Sequence, residues 1–283
     1  MTEPTIAIAR HAGVCYGVER ALSLALEASE QAEGPVSTLG PLIHNPLVVK
    51  DLDERGVTAV DSVDNAVSGT LIIRAHGVTP QVIEEAQSRG LSVIDATCPY
   101  VKKVHLAAER LVSEGYQLIV VGESGHPEVE GIMGHAGENA HVVSGVQDLA
   151  ELELAKKVGL VVQTTQTAQA LAEIVAELVP RVIELRVMNT ICRATQERQE
   201  SAAELATRAD VMVVIGGKNS GNTRRLAQIC ARACARMHHI EDAVEIQKAW
   251  LEGATLIGVT AGASTPADHI ERAVERIHEL VEA

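Results

Sequence analysis

Residues 92–99 read Ser-Val-Ile-Asp-Ala-Thr-Cys-Pro. A short apolar run rich in β-branched residues runs into a polar loop and a cysteine, and the proline after it suits the first position of a helix, where its missing N–H costs nothing. The same order of parts occurs twice more. Ile6-Ala7-Ile8-Ala9 leads to Cys15, and Leu185-Arg186-Val187-Met188 leads to Cys192, each followed by a helical stretch. Two further strands are expected in each third. Those around Val36-Ser37-Thr38, Leu118 to Val121 and Val211 to Ile215 run into His44-Asn45-Pro46, His126-Pro127-Glu128 and Asn219-Ser220-Gly221-Asn222. Those at Leu71-Ile72-Ile73, Leu160-Val161-Val162 and Leu256-Ile257-Gly258-Val259 end at His76, Thr164-Thr165 and Ser264. Strands alternating with helical stretches predict an α/β fold with mostly parallel sheets, built as three copies of one plan with three strand-to-helix loops each.

Five of the nine prolines, Pro46, Pro80, Pro99, Pro127 and Pro266, fall just after these loops and are expected at first helical positions. The polar side chains before them then sit at helix N-termini and at the carboxyl ends of strands. That edge of an open α/β sheet binds ligands, and its free N–H groups suit phosphate.

Composition removes several classes of function. A formal charge of −14 opposes a phosphate backbone or an anionic membrane as main partner, and a chain with no Phe, one Trp and three Tyr lacks a base-stacking surface. The apolar runs are far shorter than the roughly 20 residues of a membrane span. With no signal-peptide pattern and an odd number of scattered cysteines, five, the expectation is a cytoplasmic protein with reduced thiols or metal ligands.

Cys15, Cys98 and Cys192 occupy equivalent loops, and three converging thiolates suit an iron–sulfur cluster or zinc. Cys230 and Cys234, four apart in a helical pattern from Arg224 to Met237, have no counterparts in the other thirds and read as core. His44, His76 and His126 fall in matched loops and can donate to phosphate or relay protons. Glu128 lies in a first helical turn, where acids are common because they complement the helix dipole, and Glu130 is its decoy. Gly216-Gly217-Lys218-Asn219-Ser220-Gly221-Asn222-Thr223 lacks the order of a phosphate loop, and no G-x-G-x-x-G follows a strand, so neither nucleotide hydrolysis nor a dinucleotide cofactor is supported.

Along its whole length the chain resembles the 4-hydroxy-3-methylbut-2-enyl diphosphate reductases. The resemblance rests on Gly13-Val14-Cys15-Tyr16-Gly17-Val18, Ile43-His44-Asn45, Ala75-His76-Gly77-Val78, Asp95-Ala96-Thr97-Cys98-Pro99 and Gly125-His126-Pro127-Glu128-Val129-Glu130-Gly131. It continues through Gln163-Thr164-Thr165, Asn189-Thr190-Ile191-Cys192, Lys218-Asn219-Ser220-Gly221-Asn222 and Thr260-Ala261-Gly262-Ala263-Ser264. It implies a trefoil of three α/β domains, 14–97, 98–191 and 192–283 with 1–13 adding the third domain's first strand, around one 4Fe-4S cluster. Cys15, Cys98 and Cys192 match the three cluster ligands, leaving one iron open. His44, His76, His126, Ser220, Asn222 and Ser264 match the diphosphate pocket; Glu128 and Thr164, with His126, match the groups at the reacting end of the substrate. Gly221 departs from the pattern, since some relatives carry a second Ser there, and only its backbone N–H is left to face phosphate. The implied partners are an allylic diphosphate and an external one-electron donor such as ferredoxin or flavodoxin. The products are isopentenyl and dimethylallyl diphosphate. The rival readings are a non-catalytic metal-binding or redox-sensing module in which three cysteines and a histidine hold zinc or a labile cluster, and a plain scaffold with buried thiols; zinc or bare thiols would be colourless where a cluster is brown.

Overall fold

The computed structural model describes residues 3–282; Met1, Thr2 and Ala283, the ends of the expected third domain, lie outside the described residues. The backbone forms two compact units: Met1–Val18, His44–Val48 and Arg193–Ala283 make one, and Glu19–Ile43 with Val49–Cys192 make the other.

The second unit holds two four-stranded sheets. In one, β2 (Val36–Leu39), β3 (Val57–Val60), β4 (Thr70–Ile73) and β5 (Ser92–Asp95) stand in the order β3-β2-β4-β5. In the other, β6 (Gln117–Val121), β7 (Ala140–Val143), β8 (Lys157–Val162) and β9 (Glu184–Val187) stand in the order β7-β6-β8-β9. The first unit repeats the plan: β1 (Thr5–Ile8) joins β10 (Val211–Ile215), β11 (Met237–Ile240) and β12 (Leu256–Ala261) in the order β1-β12-β10-β11. All nine pairings are parallel.

In the β2–β5 and β6–β9 sheets the chain leaves one central strand toward one edge and returns through the other central strand toward the opposite edge; in the third sheet β10 leads to the β11 edge, while the edge beside β12 is β1, supplied from the start of the chain. The crevice between the central strands is therefore a topological switch point. The central strands are almost wholly buried, as parallel strands covered by helices must be, and this explains the apolar runs Leu71–Ile73, Leu118–Val121, Leu160–Val162 and Val211–Ile215, although β2 buries Ser37 and Thr38 as well. Leu71, Ile72, Ile73, Leu118, Ile119 and Leu160 are fully buried, each contributing roughly 1.5–3 kcal/mol by leaving water.

The helices are α1 (Tyr16–Gln31), α2 (Pro46–Glu54), α3 (Pro80–Ser88), α4 (Pro99–Ser113), α5 (Pro127–Ala136), α6 (Ala168–Leu178), α7 (Arg193–Ala206), α8 (Gly221–Ala233), α9 (Lys248–Leu251) and α10 (Ala267–Glu282). Pro46, Pro80, Pro99 and Pro127 open helices as expected, whereas Pro266 sits one residue before α10. The helix expected to reach Met237 ends at Ala233, because Cys234 turns extended (φ −124°, ψ 112°) to lead the chain into β11.

All nine expected strands are present, and each sheet has a fourth, β3, β7 or β11, that the sequence reading missed. These edge strands are four residues long, partly exposed and mixed in polarity, as in Met237-His238-His239-Ile240. No continuous apolar run announces them. Each is bonded at its end by a glycine after the neighbouring central strand: Gly40 N–H to Val60 O (2.7 Å), Gly122 to Val143 (3.0 Å) and Gly216 to Ile240 (2.9 Å).

Gly69, just before β4, has φ +85°, and a Cβ there would stand 2.2 Å from the Pro35 carbonyl oxygen. Gly90, after α3, has φ +78° with nothing within 4 Å. Gly90→Ala should cost about 1–2 kcal/mol from backbone strain alone, and Gly69→Ala about 3 kcal/mol or more because main chain must also move. Urea unfolding of the two variants beside the parent measures the difference.

Candidate functional site

One arrangement recurs where the three cysteine loops leave β1, β5 and β9. Two residues before each cysteine, a donor bonds the last carbonyl of the neighbouring central strand: Gly13 N–H to Ala261 O (3.3 Å), Ala96 N–H to Ile73 O (3.1 Å) and Thr190 Oγ1 to Val162 O (2.5 Å). Each cysteine's own N–H then bonds the carbonyl two residues further on: Cys15 to Ala263 (3.3 Å), Cys98 to Ala75 (2.9 Å) and Cys192 to Thr164 (3.0 Å). Every such thiol thus opens a helix, α1, α4 or α7, and is half-buried. Cys230 and Cys234 lie instead in an apolar cluster with Ala202, Leu205 and Leu226, and burial pushes the Cys230 thiol up to about 12, so it stays protonated.

In the first unit, Asn45 Nδ2 donates to Ser264 O (2.8 Å) while its Oδ1 accepts from Leu47 N–H (3.1 Å), which starts α2 and ties the His44 loop to the Ser264 loop. At Gly217 a Cβ would meet the His44 carbonyl oxygen at 2.5 Å, so only glycine permits this approach. Ser220 caps α8, its Oγ accepting from Thr223 N–H (3.3 Å), and Gly221 is the buried first residue of that helix. Asn222 is 4% exposed, and neither atom of its amide has a hydrogen-bond partner. An amide left so costs about 1–3 kcal/mol and is poised for a ligand's acceptor.

In the second unit, His126 caps α5: its Nδ1 accepts from Glu128 N–H (3.1 Å), which leaves the proton of the neutral ring on Nε2 as a donor. The His76 ring stands edge-on to it, centroids 5.6 Å apart. Glu128 is 2% exposed and accepts from Thr164 N–H (2.6 Å) and Thr164 Oγ1 (2.9 Å), whereas Glu130 is exposed. Two apart on α5, the acids face different ways, and packing against the Thr164 loop buries Glu128 while Glu130 meets water.

Sequence reasoning missed Arg198, Arg20 and His105. Arg198 is buried on α7 and its Nη2 donates to Gly13 O (2.7 Å). Its signal was a charge on the stripe Thr195, Arg198, Ala202, Leu205. Arg20 Nη1 and Nη2 donate to the carbonyls of Thr97 and Asp95 (3.4 Å each).

His105 on α4 is wedged against the His76-Gly77 turn and α5. A Cβ on Gly77 would lie 2.8 Å from its Cε1, and one on Gly131 3.2 Å from its Nε2.

The strand-to-helix loops at the carboxyl ends of these parallel strands carry thiols, imidazoles, hydroxyls and amides, and they define an open-sheet α/β protein, a class whose ligands bind at that edge. The chain belongs to the family described as LytB protein, which matches residues 6–278. A 4-hydroxy-3-methylbut-2-enyl diphosphate reductase of Pelobacter propionicus is 48% identical over 275 residues, 97% of this chain and 98% of that one. That of Aquifex aeolicus is 46% identical over 280 residues, 98% and 97% of the two chains. A solved (E)-4-hydroxy-3-methyl-but-2-enyl diphosphate reductase, described as the terminal enzyme of the non-mevalonate pathway, superposes with TM-score 0.73 at 47% identity over 97% and 99%. The E-1-hydroxy-2-methyl-but-2-enyl-4-diphosphate reductase of Plasmodium falciparum gives TM-score 0.91 at 28% identity over 97% and 88%.

Burial, with the neighbouring His135 adding to it, lowers His105 from 6.5 to about 4. The unfolded chain therefore takes up this proton first, so the contribution is intact above about pH 6.5 and is lost as pH falls toward 4. Between pH 7 and pH 5 the parent should lose about 2 kcal/mol from this group, and His105→Gln should lose that much less. Urea unfolding of both proteins at the two pH values checks it.

Proposed function

We propose that the chain reduces (E)-4-hydroxy-3-methylbut-2-enyl diphosphate to isopentenyl and dimethylallyl diphosphate, replacing the allylic hydroxyl by hydrogen with two electrons and two protons and releasing water. The observation that carries the reading is the buried Glu128 carboxylate, clasped by the N–H and hydroxyl of Thr164 on the helix that His126 caps.

The donor set fits the cluster the family implies. Cys15, Cys98 and Cys192 are half-buried thiols in one repeated loop geometry at helix starts, unlike the core pair Cys230 and Cys234. Three thiolates would hold one 4Fe-4S cluster with one iron free of protein ligands. When bound, the cluster supplies electrons singly and Lewis acidity toward the substrate hydroxyl.

The remaining chemistry belongs to side chains. His44, His76, His126, Ser220, Asn222 and Ser264, with the Gly221 N–H, hold the diphosphate through hydrogen bonds strengthened by its charge. Thr164 orients Glu128 and the substrate hydroxyl, and Glu128 passes the proton with which that hydroxyl leaves as water. Reprotonation of the allylic anion at either end gives the two products. Electrons come from an external one-electron donor such as ferredoxin or flavodoxin. We place the reaction in the cytoplasm, where thiols stay reduced, and take 14–97, 98–191 and 192–283 with 1–13 as the three repeated domains.

Glu128→Gln should keep its iron and bind substrate, yet lose turnover by about 100-fold or more, the cost of removing a positioned acid, while Glu130→Gln matches the parent. Anaerobic assay with a chemical reductant, beside iron analysis, decides it: near-normal turnover in Glu128→Gln rejects the proton role.

Serine at Cys15, Cys98 or Cys192 should strip iron and brown colour, and serine at Cys230 or Cys234 should leave both. Full colour in Cys98→Ser would sink the ligand assignment.

A further inference from the structure

Two of the cysteine loops are gripped by arginines. Arg198 is 4% exposed, and its fork spans two main-chain carbonyls, Gly13 (Nη2, 2.7 Å) and Ala194 (Nη1, 2.8 Å). Gly13 lies two residues before Cys15, at φ +87°, where a Cβ would press on Ile270 (3.0 Å) and the Thr265 carbonyl (3.2 Å). Arg20 does the same for the loop before Cys98, one guanidinium nitrogen on Asp95 O and the other on Thr97 O. Both arginines stand in the second turn of a helix opened by a cysteine, five residues after Cys15 and six after Cys192. Each grips the loop of a different cysteine.

Burying a guanidinium is costly, and a lysine ammonium, a point charge, cannot satisfy two carbonyls in a planar fork. We propose that Arg198 and Arg20 are positioning residues that hold the Cys15 and Cys98 loops in their ligating conformation and, as permanent cations behind those thiolates, favour the electron-rich state of the group the thiolates bind. The inference rests on the cluster reading above.

The test compares Arg198→Gln, Arg198→Lys and Arg20→Gln with the parent and with Arg272→Gln, a control on the exposed face of α10. Three quantities are read anaerobically: the rate of iron loss to bipyridyl, the midpoint potential by visible titration, and urea unfolding of the iron-free protein. Both Gln variants should lose iron at least ~10-fold faster, as expected when a group supporting a metal ligand is removed. Their midpoints should fall, a tenfold drop in the reduced-to-oxidised ratio corresponding to about 59 mV for one electron. Arg198→Lys should recover the midpoint through its charge but keep the fast iron loss, because the fork is gone.

If Arg198→Gln does not fold, the part-buried Arg20→Gln carries the same comparison. Lower stability of the iron-free Gln variants with an unmoved midpoint would mean a purely structural role and overturn the inference, as would an equal shift in Arg272→Gln. Parental iron loss and midpoint in both Gln variants would also overturn it and leave the cluster reading standing. A parent that binds no iron removes both.

Discussion

The cysteine N–H must find an acceptor where its strand has ended, and it does so on the neighbouring central strand's loop. Cys15, Cys98 and Cys192 bond Ala263, Ala75 and Thr164, each two residues past the end of a central strand. A backbone N–H left unbonded at a half-buried helix start would cost about as much as a lost hydrogen bond, so the loop has little freedom. The rest of the edge follows. The bond that seats Cys192 uses the carbonyl of the residue whose N–H and hydroxyl hold Glu128, so thiol and carboxylate share one anchor in Thr164.

Polar groups at this edge are held in two ways. Some are saturated by the protein itself: Ser220 caps its helix, His126 accepts a backbone N–H on one ring nitrogen, and Asn45 bridges two loops. Others are left over, as with the buried amide of Asn222. Saturated groups fix positions and orient their remaining donors. Leftover ones cost stability, and a charged, acceptor-rich ligand offsets that cost on binding.

Glycines mark where the backbone comes closest. Gly217 admits the His44 carbonyl, Gly77 admits the His105 ring, and Gly13 accepts both a left-handed turn and the crowding of Ile270 and Thr265. Their role is steric rather than flexible, since each sits where a Cβ would displace a neighbour.

Among the described residues, the sequence by itself determined the α/β class, nine of the twelve strands and the strand-to-helix loops, and it was right for four of the five prolines it placed at helix starts, because buried parallel strands favour aliphatic, β-branched-rich runs and helix starts favour proline. It could not reveal β3, β7 and β11, which are short, half-wet and held by bonds from distant glycines rather than by their own hydrophobicity. The helix dipole does not separate Glu128 from Glu130, since both satisfy it; the family resemblance picked out Glu128, and the tertiary structure shows why, burying it against Thr164 while Glu130 stays exposed. Arg198 and Arg20 were invisible for a related reason. A charge on an apolar stripe acquires meaning only when the carbonyls it serves, 185 and 75 to 77 residues away, are brought to it by the tertiary fold.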